Sequence, residues 1–413
     1  MNYANAIFAV LALLSLALAL WQWLAARGFP LHKRIAGSGF APPVSILKPL
    51  KGCDATTAES LQSWFSQNYS GQMQILLAVA DANDPVCKIV QEIIANNPKC
   101  DAQLVICEKL IGANAKVAKL AQLEKLAKHE LILVSDADVR VPPDFLANIV
   151  APLHDEKVGL VNCFYRLANP STTAMRWEAV AINADFWSQV LQSQTLKPLD
   201  FALGAAMLVR RESLAEIGGF PSLADCLADD YQLGHRIAKN GHRIALCPVV
   251  AECWDAPMSW REVWKHQLRW ARTIRVCQPL PYFFSILSNA TLWPLLWLAS
   301  ELFKWLPRSV SSAQFDPLRY FETKTASLDG TILAIALLLV RLVLAENLQR
   351  RLTPERNLVS PFWLVPVKDL LQAAIWLCAF TGNTVEWRGR KMKLRRDGTL
   401  LEEKQAGLPG RSS

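Results

Sequence analysis

The sequence lacks several features that would classify it at once. Its ten cysteines include no Cys-x-x-Cys pair, so the usual spacing of a zinc site is missing. A disulfide scaffold is not expected at 413 residues, and we interpret the cysteines as reduced, mostly buried thiols of a cytosolic domain. There is no internal repeat and no low-complexity segment. The length allows one large domain with added elements, or at most three domains.

Composition excludes both a purely soluble protein and a wholly membrane-embedded transporter. Hydrophobic residues make up 52% of the chain, whereas charged residues still make up 19%. A soluble domain with attached membrane segments accounts for both figures. The net charge is +8, and the basic residues lie beside apolar segments and near the C-terminus instead of in one long run. That distribution favours an anionic membrane surface, and we expect no nucleic-acid partner.

The first apolar segment, residues 4–26, has the length of a membrane-crossing helix, which takes about 20 residues. It is too long for a typical signal peptide and has no basic residues before it, so a cleaved signal is the less favoured alternative. Arg27, Lys33 and Arg34 follow the segment. By the positive-inside rule, this flank is expected in the cytoplasm and the N-terminus outside.

The C-terminal third contains three further apolar stretches, at 283–306, 328–345 and 362–380, and then a basic tail at 387–396 that is expected in the cytoplasm. An outside N-terminus and an inside C-terminus require an odd number of crossings, so one of the four apolar segments should be interfacial or re-entrant. The segment dense in proline and tryptophan, 283–306, is the candidate. The expected division is an anchor at 1–27, a catalytic domain at 28–280, membrane helices at 281–385 and a basic tail at 386–413.

Between residues 43 and 279, strands and helices alternate. Short β-rich runs occur at 43–50, 74–81, 103–107, 131–138 and 158–163. Helical stretches lie between them at 57–67, 85–96 and 115–129. This alternation predicts an α/β fold, a doubly wound, mostly parallel sheet covered by helices on both faces. Ligands of such sheets bind at the carboxyl ends of the strands.

Several charged residues follow predicted strands. Asp136 and Asp138 end one run, and two carboxylates at that spacing suit a divalent cation, Mg²⁺ or Mn²⁺, shared with a diphosphate. A solvated loop or a helix cap before Pro142 is the alternative. Lys48 and Asp81 end two other runs. Asp81 can hold the ribose or base of a nucleotide, since Asp84 is the better helix cap.

Two later segments, at residues 114–116 and 229–230, add candidates. Asn114 is expected to cap a helix and Lys116 to reach a phosphate. Asp229 and Asp230 are adjacent, so one pKa should rise, and Asp230 could act as a general base. A capped helix start is the alternative for this pair.

The last candidates lie on a predicted amphipathic helix that contains His266, Arg269 and Trp270. Arg269 offers a cation for a diphosphate, and Trp270 offers a flat face for a sugar or base. Tryptophans of this helix, Trp260 and Trp264 among them, could equally bury one face against a membrane. The two roles are compatible.

Together these residues form a recognisable order: Asp81, Asp136-x-Asp138, Asp229-Asp230, and Arg269-Trp270. The order resembles the signature of processive and lipid-directed family-2-like glycosyltransferases. The finer segments resemble the ceramide glucosyltransferase family, and most closely its bacterial branch, which includes hopanoid-biosynthesis glycosyltransferases. These segments are SILKPLKG (45–52), GANAK (112–116), SDADVRV (135–141), LADDYQLG (227–234), HQLRWART (266–273) and VEWRGRKMKLRRDG (385–398).

The resemblance implies a GT-A fold, a UDP-sugar donor, a divalent metal and inversion at the anomeric carbon. It assigns Asp81 to the uridine, Asp136 and Asp138 to the donor phosphates and metal, and Asp230 to the general base. Arg269 and Trp270 would close over the diphosphate and the acceptor. His266 replaces the Gln or Arg of much of the family, and the full D-x-D replaces a D-S-G-like segment of ceramide enzymes. Both departures favour the hopanoid branch.

The sequence therefore predicts transfer of a hexose, glucose or N-acetylglucosamine, from a UDP-sugar to a lipid hydroxyl of a ceramide or hopanoid polyol. We expect Lys48, Asn114 and Lys116 to contribute to donor binding, and Asp229 and His266 to lie beside the acceptor. The expected location is the bacterial inner membrane, with several crossings and a cytoplasmic catalytic domain. The alternatives are a processive polysaccharide synthase and a non-catalytic lipid-binding or transport protein, for which intramembrane Lys368 and Asp369 would be the starting point.

Overall fold

The structure is a computed structural model that describes residues 3–37, 39–108, 111–304, 317–355, 359–387 and 390–402. Parts of three predicted segments lie outside these residues, namely the end of the apolar stretch 283–306, two positions of the basic tail 387–396, and the tail beyond residue 402. All ten cysteines are free thiols, as predicted.

The centre of the fold is an eight-stranded mixed sheet in the order β3-β2-β1-β4-β7-β6-β8-β5. Its strands are β1 Val44–Pro49, β2 Met73–Val79, β3 Asp101–Ile106, β4 Leu131–Ser135, β5 Val139–Arg140, β6 Val158–Leu167, β7 Ala206–Arg210 and β8 Arg243–Cys253. The five predicted runs are confirmed as β1 to β4 and β6. The sequence analysis missed β5, β7 and β8. Both β7, between β4 and β6, and β5, at the edge, run antiparallel to their neighbours.

Helices cover both faces of the sheet. They are α2 Thr57–Phe65, α3 Val86–Asn96, α4 Ala115–Leu126, α5 Phe145–Val150, α6 Thr173–Val180, α7 Trp187–Gln194, α8 Arg211–Glu216, α9 Asp229–Lys239 and α10 Trp260–Cys277. A π-helix, Ala181–Phe186, joins α6 to α7. Successive strand residues enter different cores, because side chains alternate across a strand: Ile46 packs into one and Leu47 into the other. This double coverage confirms the α/β prediction.

In the described part of the chain, two helices are long and apolar enough to cross a membrane: α1, Tyr3–Gly28, and the segment Ser327–Leu352 of α13, Pro317–Leu352. A third span would result if the pair Pro279–Ser288 and Leu292–Phe303 counts as one. The pair comprises α11 Pro279–Phe284, a short 3₁₀ turn and α12 Leu292–Phe303, and it bends by 44°. The bend falls in the stretch predicted to be interfacial or re-entrant. Helix α14, Leu364–Ala379, has 16 residues, fewer than a straight crossing needs.

The basic segment near the C-terminus folds onto the α/β part of the chain. It forms a three-stranded antiparallel sheet of β9 Thr384–Trp387, β10 Arg390–Leu394 and β11 Leu400–Glu402. Buried Met392 and Leu394 alternate with exposed lysines along β10. Leu227, which precedes α9, donates its N–H to the carbonyl of Gly398. The segment predicted as a basic tail therefore has tertiary structure as far as residue 402.

Candidate active site

The predicted donor residues lie at the carboxyl edge of the sheet. Asp81 follows β2 and is exposed, and its carboxylate accepts hydrogen bonds from the backbone and side chain of Asn83. The capping role falls to Asp84, which accepts from the N–H of Val86, the first residue of α3. Because β2 and β4 are separated by one strand, the ends of these two strands lie about 10 Å apart. That span suits the two ends of a nucleotide.

Lys116 joins three segments that are far apart in sequence. Its Nζ lies 2.8 Å from Asp136 Oδ1 and 3.1 Å from Asp229 Oδ2. Burial lowers the pKa of Lys116, but the attraction of Asp136 and Asp229 outweighs burial, so its pKa is raised. Asn114 caps α4 by accepting from the N–H groups of Lys116 and Val117, as predicted. The Lys116 ammonium is thus a fixed positive charge among the acids.

Lys48 supports the acidic turn from inside the protein. It is completely buried and donates from Nζ to the carbonyl of Asp136 at 2.7 Å and to Ser135 Oγ at 3.2 Å. Its ammonium lies 4.6 Å from the centre of the Trp64 ring. Burial lowers its pKa to about 7, against the attraction of Asp138 and Asp136. These contacts give Lys48 a part in shaping the turn, and its predicted contact with the donor stays a prediction.

Asp138 faces a carboxylate that the sequence analysis missed. Burial, followed by repulsion from Asp255 and Asp136, raises the pKa of Asp138 to about 7. Asp255 comes just after β8, and β5 pairs with β8 so that the N–H of Trp254 bonds the carbonyl of Asp138 at 3.0 Å. Burial also raises the pKa of Asp255. Since β8 was not predicted, the sequence carried no signal that would place Asp255 here.

Asp230, like Asp136 and Asp229, is close enough to Lys116 to act on it through its charge. Burial and the adjacent Asp229 carboxylate raise its pKa to about 6, the direction predicted from their adjacency. Its Oδ1 accepts from the N–H of Tyr231 at 2.7 Å. Gly204 leaves room for it, because a Cβ there would lie 2.8 Å from Asp230 Oδ2. A half-buried carboxylate with this pKa is ionised at neutral pH and still basic enough to accept a proton.

Helix α10 carries the last candidates, and His266 on this helix is near enough to Asp255 to oppose the rise of its pKa. A capping box of Ser259 and Glu262 begins the helix. His266 Nδ1 lies 2.8 Å from Glu178 Oε1, and its ring meets the Trp270 ring edge-on at 4.7 Å. Arg269 is half-buried on the same helix. Glu178 was missed, because nothing in the sequence links α6 to α10.

Within the described ranges, no three or more His, Cys, Asp and Glu side chains form a group that could hold a metal by themselves. The available carboxylates, Asp138 and Asp136, still fit a hard cation. Mg²⁺ is typically bound by one or two carboxylates, with substrate phosphates and water completing its shell. The mutual repulsion of these acids would be relieved by such a cation.

Parts of this chain are similar in sequence to known proteins. Ceramide glucosyltransferase 3 of Caenorhabditis elegans is 25% identical over 221 residues, which are 53% of this chain and 47% of that protein. Beta-monoglucosyldiacylglycerol synthase of Trichormus variabilis is 26% identical over 246 residues, 59% of this chain and 51% of that protein. The chain thus matches about half the length of these relatives.

A solved structure shares the fold. It is the mannosyltransferase PcManGT from Pyrobaculum calidifontis in complex with GDP-Man and Mn²⁺, with a TM-score of 0.50 and 21% identity over 80% of this chain and 98% of that one. The likeness confirms the predicted GT-A-like fold. The family model described as Glycosyl transferase family 21 matches residues 6–315 and 317–400, nearly the whole sequence. The chain therefore belongs to glycosyl transferase family 21.

Proposed function

We propose that this protein is an inverting hexosyltransferase that moves glucose or N-acetylglucosamine from a UDP-sugar to the hydroxyl of a membrane lipid. The observation that carries the proposal is the meeting of Asp136 and Asp229 on Lys116, with Asp138 and Asp230 beside them, at the carboxyl edge of the sheet. Doubly wound sheets bind nucleotides at this edge. Its named relatives, a ceramide glucosyltransferase and a glucosyldiacylglycerol synthase, support a lipid acceptor.

In the proposed reaction the donor diphosphate lies against the acidic turn. Asp138 and Asp136 would hold Mg²⁺ or Mn²⁺, which when bound stabilises the negative charge of the leaving diphosphate. Asp81 would contact the uridine from the end of β2. Arg269 would pair with the diphosphate from α10, and the fixed charge of Lys116 would keep Asp136 oriented.

Asp230 would act as the general base. As the lipid oxygen attacks C1 of the sugar, its proton passes to the Asp230 carboxylate and the bond from C1 to the diphosphate breaks. One displacement inverts the anomeric centre. A base with a pKa of about 6 combines an ionised resting state at pH 7 with useful proton affinity. His266 and Trp270 would contact the acceptor from α10.

The membrane elements support a lipid acceptor in place of a soluble one. Apolar side chains that follow α10, Leu280, Phe283 and Phe284, are exposed, as expected at a membrane surface. We place the catalytic domain on the cytoplasmic face of the bacterial inner membrane, because basic residues flank α1. The transport alternative loses its support, since Lys368 and Asp369 pair with Asp185 and Arg341.

The test is transfer by the full-length protein in lipid vesicles supplied with radiolabelled UDP-glucose or UDP-N-acetylglucosamine. Ceramide and a hopanoid polyol are tested in turn as acceptors, with Mn²⁺, Mg²⁺ or a chelator. Label in the lipid extract supports the proposal and identifies the sugar and the acceptor. Label in a polymer would indicate a polysaccharide synthase, and no label in either product with any pair would refute the transferase. An Asp230→Asn variant is the negative control.

A further inference from the structure

Four charged side chains meet at the boundary between the catalytic domain and the membrane helices. Arg341 of α13 donates to Asp185 Oδ2 at 2.9 Å and to Asp369 Oδ2 at 2.9 Å. Lys368 of α14 lies 2.7 Å from Asp369 Oδ1 and also contacts Asp185. Each of these residues, here called the junction cluster, is at most 7% exposed. Two cations and two carboxylates leave the cluster with no net charge.

Further polar contacts tie other membrane elements to the junction cluster. Thr291, at the bend before α12, donates from Oγ1 to Asp369 Oδ2 at 2.6 Å. Gln22 of α1 donates to Ser188 Oγ at 2.6 Å and to the carbonyl of Asp185 at 3.4 Å. Helices α1, α13 and α14 thus contact the segment around Asp185, and the bend contacts Asp369 of α14. Because an unpaired buried charge is strongly unfavourable, these contacts fix the relative positions of the elements.

The same segment contacts α10 at its other end. Asp185 lies in the π-helix that continues α6, and Glu178 precedes it by about two turns. Glu178 is 1% exposed and holds two neighbours on α10 through Oε1: His266 Nδ1 at 2.8 Å and Gln267 Nε2 at 2.8 Å. π-Helices within longer helices are frequent at functional sites.

A ring contact reinforces this link. Phe186, the residue after Asp185, has its ring 6.1 Å from the Trp270 ring and 5.5 Å from the Tyr165 ring. The residues 173–186 therefore carry the membrane contact at Asp185 and the α10 contacts at Glu178 and Phe186. We call this stretch, α6 with the π-helix, the joint segment.

We propose that the joint segment positions the His266 and Trp270 face of α10 for the lipid acceptor, with Glu178 and Asp185 as positioning residues. The inference rests on the proposed function, since it assigns that face to the acceptor. The His266 ring meets Glu178 through Nδ1, an ion pair when the imidazole is protonated, and Nε2 is the ring nitrogen farther from Glu178 that can bond an acceptor hydroxyl. Asp185 fixes the position of the joint segment relative to the membrane helices, which present the lipid. Asp185 pairs with Arg341 and Lys368, whereas Glu178 also acts through its charge on Asp255, which faces Asp138.

The experiment compares acceptor and donor steps in full-length variants in vesicles. Glu178→Gln keeps the shape of the side chain without its charge, and Asp185→Asn leaves the junction cluster with excess positive charge. Both should lower kcat/KM for the lipid by tenfold to a hundredfold, on the order of what small displacements cost. UDP binding, measured by calorimetry, should change by less than the kcat/KM for the lipid, because only Arg269 of the displaced helix is assigned to the donor. The double variant Asp185→Asn with Lys368→Gln restores neutrality and should recover part of the loss.

Glu346→Gln is the matched control, because Glu346 lies on α13 in an exposed pair with Arg350. Folded Glu178→Gln and Asp185→Asn proteins with normal acceptor kinetics would overturn the proposal, as would a proportional loss of UDP binding. If Asp185→Asn does not fold, Glu178→Gln, which lies outside the junction cluster, decides the outcome. Absence of transfer by the wild type would instead refute the proposed function.

Discussion

At the carboxyl edge of the sheet, carboxylates outnumber cations, whereas in the junction cluster the two are equal. Asp136, Asp138, Asp229, Asp230 and Asp255 share that edge with Lys48 and Lys116. Arg341 and Lys368 meet Asp185 and Asp369 at the junction. Negative charge is thus in excess at the sheet edge and is neutralised in the junction cluster.

The sheet edge needs a ligand to balance its charges, whereas the charges of the junction cluster already balance one another. Burial, followed by repulsion from neighbouring carboxylates at the sheet edge, raises the pKa of Asp138 to about 7 and of Asp230 to about 6. Shifted carboxylates of this kind are typical of functional sites. The junction cluster satisfies its own charges with hydrogen bonds, as a buried ionic group must if it is to stay folded. Each of the following variants changes one side of this comparison.

The largest effect is expected for Asp230→Asn. Without a carboxylate to accept the acceptor proton, kcat should fall by about 10²- to 10⁴-fold. UDP binding should persist, because the contacts of Lys116 to Asp136 and Asp229 remain. Transfer of labelled sugar and calorimetry of UDP measure the two properties. Asp101→Asn, in an exposed pair with Lys128, is the control. Normal transfer by Asp230→Asn would remove Asp230 as the base.

Asp138→Ala should abolish activation by metal together with activity. Loss of a carboxylate ligand removes several kcal/mol of charge stabilisation, which corresponds to at least about a hundredfold in rate. The measurement is a titration of transfer with Mn²⁺ and Mg²⁺. If added Mn²⁺ still activates the variant to the wild-type extent, the ligand assignment is wrong.

Asp369→Asn should lower the stability of the protein more than it lowers kcat. Arg341 and Lys368 would then share one carboxylate, and breaking a buried pair costs about 3–5 kcal/mol. The double variant Lys368→Gln with Asp369→Asn keeps the cluster neutral and should lose less. Thermal unfolding in detergent compares both with the exposed control Glu346→Gln, for which we expect about 0–1 kcal/mol. Equal melting temperatures in all variants would contradict the pairing.

The smallest effect concerns pH. Because Asp230 must be ionised to act as a base, kcat/KM should rise as the pH passes about 6. The neighbouring Asp229 carboxylate helps to raise that pKa, so Asp229→Asn should lower it and move the acidic limb of the pH profile to lower pH. Profiles measured at saturating metal test this. A limb that does not move, or moves to higher pH, would refute the coupling between the two carboxylates.

The sequence by itself determined what depends on local pattern. The buried strands β1, β2, β4 and β6 were predictable because each contains a short apolar run, and the edge strand β3, which is partly exposed, because it contains the β-rich run 103–107. The Asn114 cap, the adjacent acids Asp229 and Asp230, and the apolar α1 were readable for the same reason. The resemblance to the glycosyltransferase family added the prediction that acids far apart in the chain come together in one site.

Tertiary structure decided what depends on which elements become neighbours. The pairing of β5 with β8 brings Asp255 to Asp138, and nothing local marks either strand. Lys368 and Asp369 looked like unpaired intramembrane charges, although their partners lie on the π-helix and α13. Glu178 meets His266 from a separate helix. Pairing between charges far apart in the chain is set by packing, so sequence could supply the charges but not their partners.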